Sequence, residues 1–279
     1  YGNKNNYNLA FLGNSRAYYM LNPVIFDSIL NVNSFNLGID GATINLQDVY
    51  FKRIINNDSL KYIVQNIDLS SMLDNKINFN KKQFIPYLDY DEVYKPLIKI
   101  DENYWKDKYI PMYRYRDNFS SFIRGMLLGF NFNLKEDNGV VKKGFRSSNE
   151  TWNSDFDNYK KTLKNDILIY DEAQINKGLS HLEEYIILAK KKEIFIILVY
   201  APIYCELFEM EKQNLIFIEK IKYLEEKYNN VCFINFSKSY ISNSKDYFYN
   251  SFHLNKKGAD VYSNQLAKEI YKRDLIIKK

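Results

Sequence analysis

Histidine and cysteine, the residues behind much catalytic and metal chemistry, are scarce: the 279-residue chain has two of each. Cys205 and Cys232 are too few for a disulfide framework and lack metal-ligand spacing, and Cys232 sits in an apolar run that predicts a buried thiol. No His/Cys/carboxylate cluster and no Gly-rich phosphate loop is present, so neither a metal nor any other cofactor is expected. An excess of one charge is missing too. The 39 basic and 34 acidic residues leave a net +5 with no Lys/Arg block, which argues against nucleic acid as a partner. The longest apolar run, 194–201, has strand length, well short of the roughly 18 residues of a membrane span. Because the sequence opens on Tyr1 rather than Met, a preceding signal or anchor segment is an expectation.

What the chain does have is apolar residues, 46% of the total and ample for a core, arranged in a rhythm. Strands are expected over 7–12, 34–37, 60–67, 194–200 and 231–236. Between the first two, Asn22-Pro23 reads as a cap with proline at the first helical position, opening a helix over 23–30. Ile44, Val49, Ile54 and Ile55 suggest a second helix, and Ile175, Leu179, Leu182, Ile186 and Ala189 mark one face of a third. His181, beside that stripe, reads as a packing histidine. Leu215, Ile218, Leu224 and Tyr228, then Ala259, Tyr262, Leu266 and Ile270, mark two more helices. The fold class is therefore α/β: a three-layer α/β/α sandwich around five parallel strands with right-handed crossovers. In the flavodoxin-like order 2-1-3-4-5, the crevice falls where connections leave strand one in opposite senses, beside Ser15.

The rhythm breaks over roughly 75–158, longer than ordinary connections, an insertion or lid inside what otherwise reads as one domain over 1–279. It is rich in rings, including Phe84, Tyr87, Tyr90, Tyr94, Tyr104, Trp105, Tyr109, Tyr113 and Tyr115, and a helix is expected over 118–130. Packed over the carboxyl ends of the strands, these rings suit stacking on sugars; they suit a small core of the insertion's own equally well.

Leu12-Gly13-Asn14-Ser15-Arg16 lies at the exit of strand one. A serine there has unpaired backbone N–H groups and the positive end of a helix dipole beside it, which favours an anionic reaction centre, although it also reads as a plain helix cap. Asn250-Ser251-Phe252-His253-Leu254-Asn255 lies after strand five, and the strand exits share one sheet edge. Ser15, Gly38, the 66–68 corner and His253 thus meet at one crevice. Acyl transfer needs a nucleophile, a base within hydrogen-bond reach, and donors aimed at the developing oxyanion. Ser15 supplies the first, His253 the second, and the backbone N–H groups of Ser15 and Gly38 the third.

Gly13-Asn14-Ser15, Asn36-Leu37-Gly38, and His253-Leu254-Asn255 with Gly258 together resemble the SGNH (GDSL-type) hydrolase family, in order and over nearly the whole chain. The resemblance implies a serine-dependent ester hydrolase or O-acyl transferase, with a small-molecule or glycan ester, such as an acetylated carbohydrate, as its partner, working outside the cytoplasm. Arg16 and Asn36 then stand as substrate-binding candidates, while Arg16 reads equally as a packing arginine.

Two departures from the family pattern stand out. Its Gly-x-Asn block after strand three is replaced by Gln65-Asn66-Ile67-Asp68-Leu69, which leaves Asp68 or Asn66 nearest the third oxyanion donor; an aspartate donates only when protonated. Asn250 stands where the family usually has Asp, three residues before the histidine. A carboxylate there fixes the imidazole tautomer and stabilises the imidazolium, and in a serine protease its change to Asn costs about 10⁴ in rate. Three outcomes stay open: a Ser15–His253 dyad oriented by Asn250, a substitute acid such as Asp246, or a non-catalytic glycan-binding or assembly protein on the same scaffold.

Overall fold

Strand β1 (Leu9–Leu12) is buried along its whole length and is followed by α1 (Ser15–Met20), α2 (Pro23–Leu30), β2 (Ser34–Asn36), α3 (Ile44–Ile54) and β3 (Tyr62–Asn66). The structure is a computed structural model describing residues 6–74, 84–116, 123, 141–163 and 167–276. Contacts divide the chain into two units, Tyr1–Phe79 with Val141–Lys279, and Asn80–Val140.

The second unit contains α4 (Asp91–Ile100) and α5 (Tyr104–Tyr109). Phe84, Leu88, Val93, Leu97 and Tyr104 are buried in it, whereas Tyr90, Trp105 and Tyr109 are exposed, so its rings divide between core and surface. Lys108 lies over the Tyr94 ring at 4.1 Å, and Arg114 pairs with Asp89 at 3.1 Å. The helix expected over 118–130 lies, except for Ile123, outside the described residues.

The first unit resumes with a two-stranded antiparallel hairpin, β4 (Val141–Lys142) and β5 (Phe145–Arg146), then α6 (Asp155–Thr162) and α7 (Glu172–Lys191). After these come β6 (Phe195–Tyr200), α8 (Cys205–Met210), α9 (Asn214–Lys227), β7 (Val231–Asn235) and α10 (Lys256–Lys272). The five long strands form one parallel sheet in the order β2-β1-β3-β6-β7, which is the 2-1-3-4-5 winding.

The chain steps from β1 out to β2 and then back past β1 to β3, so right-handed crossovers put the connecting helices on opposite faces. Helix α10 packs on α1 and α2, and α3 packs on α7. Lys227 of α9 reaches Glu183 of α7 at 2.8 Å, completing the second layer. With both faces covered, a strand has no solvent side, which is why Phe195–Tyr200 reads Phe-Ile-Ile-Leu-Val-Tyr with no polar alternation. Among the described residues no helix is long and apolar enough to cross a membrane.

Sequence pattern and structure differ in detail. The third strand is shorter than 60–67, and α8 is a separate helix ahead of the long one that begins at Asn214. Cys232 is a buried free thiol, and burial pushes it up to about 11.

Candidate functional site

Gly13 ends β1 with φ at 145°, where an added Cβ would come within 2.8 Å of the side chains of both Ala17 and Asn66. Only glycine lets the chain turn this tightly from strand into helix. Asn14, not Ser15, caps α1: its Oδ1 accepts the N–H of Arg16 at 3.0 Å. Ser15 is thereby the first helical residue, and its hydroxyl is left free of capping.

That hydroxyl points at the second half of the site. Ser15 Oγ and His253 Nε2 are 2.7 Å apart, although 238 positions separate them in sequence. A small closed loop holds His253: Phe248 bridges Leu254, and the N–H of Tyr249 donates to the carbonyl of His253 at 3.1 Å. Asn255 locks this loop onto α10. Its Oδ1 accepts the N–H of Gly258 at 3.0 Å, capping the helix, while its Nδ2 donates to the Asp246 carbonyl at 2.9 Å.

The other ring nitrogen, Nδ1, lies 3.1 Å from Asn250 Oδ1. The same oxygen accepts the backbone N–H groups of Phe252 at 3.0 Å and His253 at 2.9 Å, so it cannot exchange places with the amide nitrogen. Facing an acceptor, Nδ1 must carry the proton. The lone pair is then on Nε2, aimed at Ser15, which is the tautomer a general base requires. Asp246, the alternative acid, is exposed, and it is its backbone carbonyl rather than its carboxylate that faces the loop.

Two rings close around the imidazole. Tyr249 stacks on it at 5.3 Å with planes 6° apart, and Tyr19 meets it edge-on at 5.7 Å. Burial, reinforced by the positive charge of Arg16 and opposed by Asp68, pushes the His253 imidazole down to about 3. It is neutral at physiological pH. Burial also pushes Tyr19 up to about 12 and raises Tyr249, so both phenols keep their protons.

Four of the expected roles are corrected by side-chain bonding. Arg16 is buried: it donates to the carbonyl of Pro202 at 2.8 Å, pairs with Asp68 at 3.7 Å and lies over the Tyr200 ring, so its guanidinium is engaged inside the protein, as a packing arginine's is. Asp68 offers nothing to an oxyanion, because Oδ1 accepts from Ser70 Oγ and the Ser71 N–H at 2.6 and 2.8 Å, and Oδ2 accepts from Asn14 Nδ2 at 2.9 Å. Asn36 is buried too, donating to the carbonyls of Ala17 and Leu21 at 2.8 Å each, which excludes it as a substrate contact. Its Oδ1 accepts the Gly38 N–H at 2.8 Å, so that donor is spent. Gly38 is glycine for another reason: a Cβ there would lie 2.4 Å from the Tyr18 backbone nitrogen.

Of the oxyanion donors expected, the Ser15 N–H remains, at the first position of α1 where no earlier carbonyl of the helix claims it. His181 pairs with Asp48 at 3.0 Å on the helical face of the sheet, as a packing histidine should. Sequence pattern missed Tyr19 and Tyr249. Tyr19 was findable, being four residues after Ser15 and hence on the same face of α1; Tyr249 sits in a loop where no period points to it. Among the described residues no cluster of three or more His, Cys, Asp or Glu could hold a metal ion.

No family model and no curated protein matches the sequence. Solved structures similar to it include a protein from Bacteroides fragilis described as an acylhydrolase, at 15% identity and a TM-score of 0.47, covering 98% of this chain and 90% of that one. A GDSL-like lipase from Bacteroides thetaiotaomicron is similar at 13% identity and a TM-score of 0.45, covering 97% and 90%. An acetyl xylan esterase from the rumen bacterium Butyrivibrio proteoclasticus is similar at 10% identity and a TM-score of 0.42, covering 95% of this chain and 63% of that one.

Proposed function

We propose that this chain, whose fold is that of the SGNH (GDSL-type) hydrolases, is a serine-dependent ester hydrolase or O-acyl transferase, with Ser15 as nucleophile and His253 as base. The observation that carries the proposal is the 2.7 Å Ser15–His253 contact in the tautomer fixed by Asn250. Ser15 Oγ attacks the ester carbonyl while His253 Nε2 takes its proton. The oxyanion forms beside the Ser15 N–H, at the positive end of α1. The imidazolium then protonates the departing alcohol, and water or a second hydroxyl, activated by His253, releases the acyl group. Asn250 orients the ring throughout but adds no negative charge against the imidazolium, so the chemistry is slower than with a carboxylate there.

For the substrate, we infer a small acyl group such as acetyl on a carbohydrate. What supports this reading is the pair of tyrosines against His253, Tyr19 edge-on and Tyr249 stacked, since a ring with a polar tip suits sugars, whose C–H faces pack on aromatic groups. Ser15→Ala and His253→Ala should each abolish turnover of p-nitrophenyl acetate and of O-acetylated glycans. Variants as active as wild type would remove the assignment.

A second reading is favoured by Asn250 and by the spent Gly38 N–H: a scaffold retained for glycan binding with its chemistry lost. Labelling by a fluorophosphonate that disappears in Ser15→Ala would exclude it, whereas no labelling together with glycan binding that survives Ser15→Ala would support it.

A further inference from the structure

The segment 143–148 is fastened at two points that bracket the Ser15–His253 pair. At one end, the carbonyl of Lys143 accepts the Asn36 N–H at 2.8 Å, which pins the hairpin to the edge of β2. At the other, the carbonyl of Ser148 accepts the N–H of Lys256, two residues after Leu254, at 2.6 Å. Between them β5 packs on α1, the helix that Ser15 begins. Phe145 is buried beneath, so strand alternation turns its neighbour Arg146 outward, and Arg146 is exposed.

Within the described residues Arg146 makes no hydrogen bond and no ion pair, yet its charge is felt by Tyr19, Asp40 and Tyr249. Two of these are the rings on His253. Arg146 is thus a cation on the strand that packs on α1, with no described residue in its fork. We propose that Arg146 is a specificity-determining residue that receives a carboxylate on the ester substrate, so that the preferred substrates are acyl esters of singly charged acidic molecules. This rests on the ester-hydrolase reading above and narrows it.

A planar guanidinium matches a carboxylate through two parallel N–H···O bonds, which give geometric specificity as well as attraction. Asp40 feels the same positive charge, and Tyr249 feels both Arg146 and Glu150. Negative charge already present in this neighbourhood repels a doubly charged phosphate more strongly than a monoanion, which favours the monoanion.

The test compares 4-acetoxybenzoate with its neutral methyl ester, two aryl acetates that differ in one charge. The readout is the ratio of kcat/KM for the acid to that for the methyl ester. Arg146→Gln should lower this ratio about tenfold, Arg146→Lys should lower it less, and high salt should bring the wild-type ratio toward that of Arg146→Gln. A ratio unchanged in Arg146→Gln, while turnover still depends on Ser15, overturns the role of Arg146 alone. Turnover that persists in Ser15→Ala overturns the ester-hydrolase reading instead, and no turnover of either ester by wild type overturns both.

Discussion

Asn250 spends a single oxygen on three N–H groups, two from the backbone and the last from the His253 ring. The ring is oriented by an atom the loop cannot release, and orientation survives without a carboxylate. Asn250→Asp keeps this geometry and adds a charge against the imidazolium. It should raise kcat on p-nitrophenyl acetate by at least about tenfold, with the ~10⁴ seen for the reverse change in a serine protease as the ceiling. An equal or lower kcat in a folded Asn250→Asp variant would mean that charge is not what this site lacks.

The low affinity of His253 for protons sets the pH profile. A base held near 3 is deprotonated over the whole range in which an ordinary histidine, near 6.5, would be losing activity. The acid limb of kcat/KM should accordingly fall well below pH 6, and Asn250→Asp should move it upward, because a negative neighbour favours the protonated ring. A wild-type limb between pH 6 and 7 contradicts the half-buried, neutral base.

The same shift ties stability to pH. Between about 3 and 6.5 the unfolded chain binds a proton at this histidine that the folded chain refuses, so the contribution is intact above 6.5 and is lost as pH falls. Wild type should lose up to about 1.4 kcal/mol per pH unit relative to His253→Gln across that window, read from urea unfolding. Parallel pH dependence of the two proteins would refute it.

Asp68 and Arg16 form a buried ion pair beneath the site, at 3.7 Å with both side chains almost fully enclosed. Asp68→Asn strands the guanidinium without its counter-charge, and breaking such a pair costs about 3–5 kcal/mol. The expected signature is a large drop in Tm. Loss of kcat with Tm unchanged would instead restore Asp68 to the oxyanion role that its hydrogen bonds deny it.

The fold was legible because its signals are periodic. Every strand of the main sheet falls within an expected run, and the helix faces at Ile175–Ala189 and Ala259–Ile270 follow from spacing. The hairpin 141–146 was not legible, since two-residue strands carry no period. At the site, the meeting of Ser15 with His253 is legible because strand exits share an edge and the other histidine sits in a helix. Gly38, Asp68, Asn36 and Arg16 depart from the expected roles for one reason: each is engaged by a partner that composition does not reveal. Asn36 turns back on Gly38, Asp68 on Ser70 and Ser71, and Arg16 finds its carbonyl acceptor 186 residues away at Pro202. Such short polar side chains often bond locally, but whether they do so or face a ligand is decided by tertiary packing.

The distance along the chain between Ser15 and His253 has a consequence for biosynthesis. Translation delivers the imidazole 238 codons after the hydroxyl. For the whole of that interval the growing polypeptide carries Ser15 without the imidazole that the proposed chemistry needs, and the pair can form only after the loop ahead of α10 is made and α10 packs on α1 and α2. A ribosome stalled before that point leaves a fragment without the Ser15–His253 pair, so under the proposed chemistry turnover doubles as a readout of finished assembly.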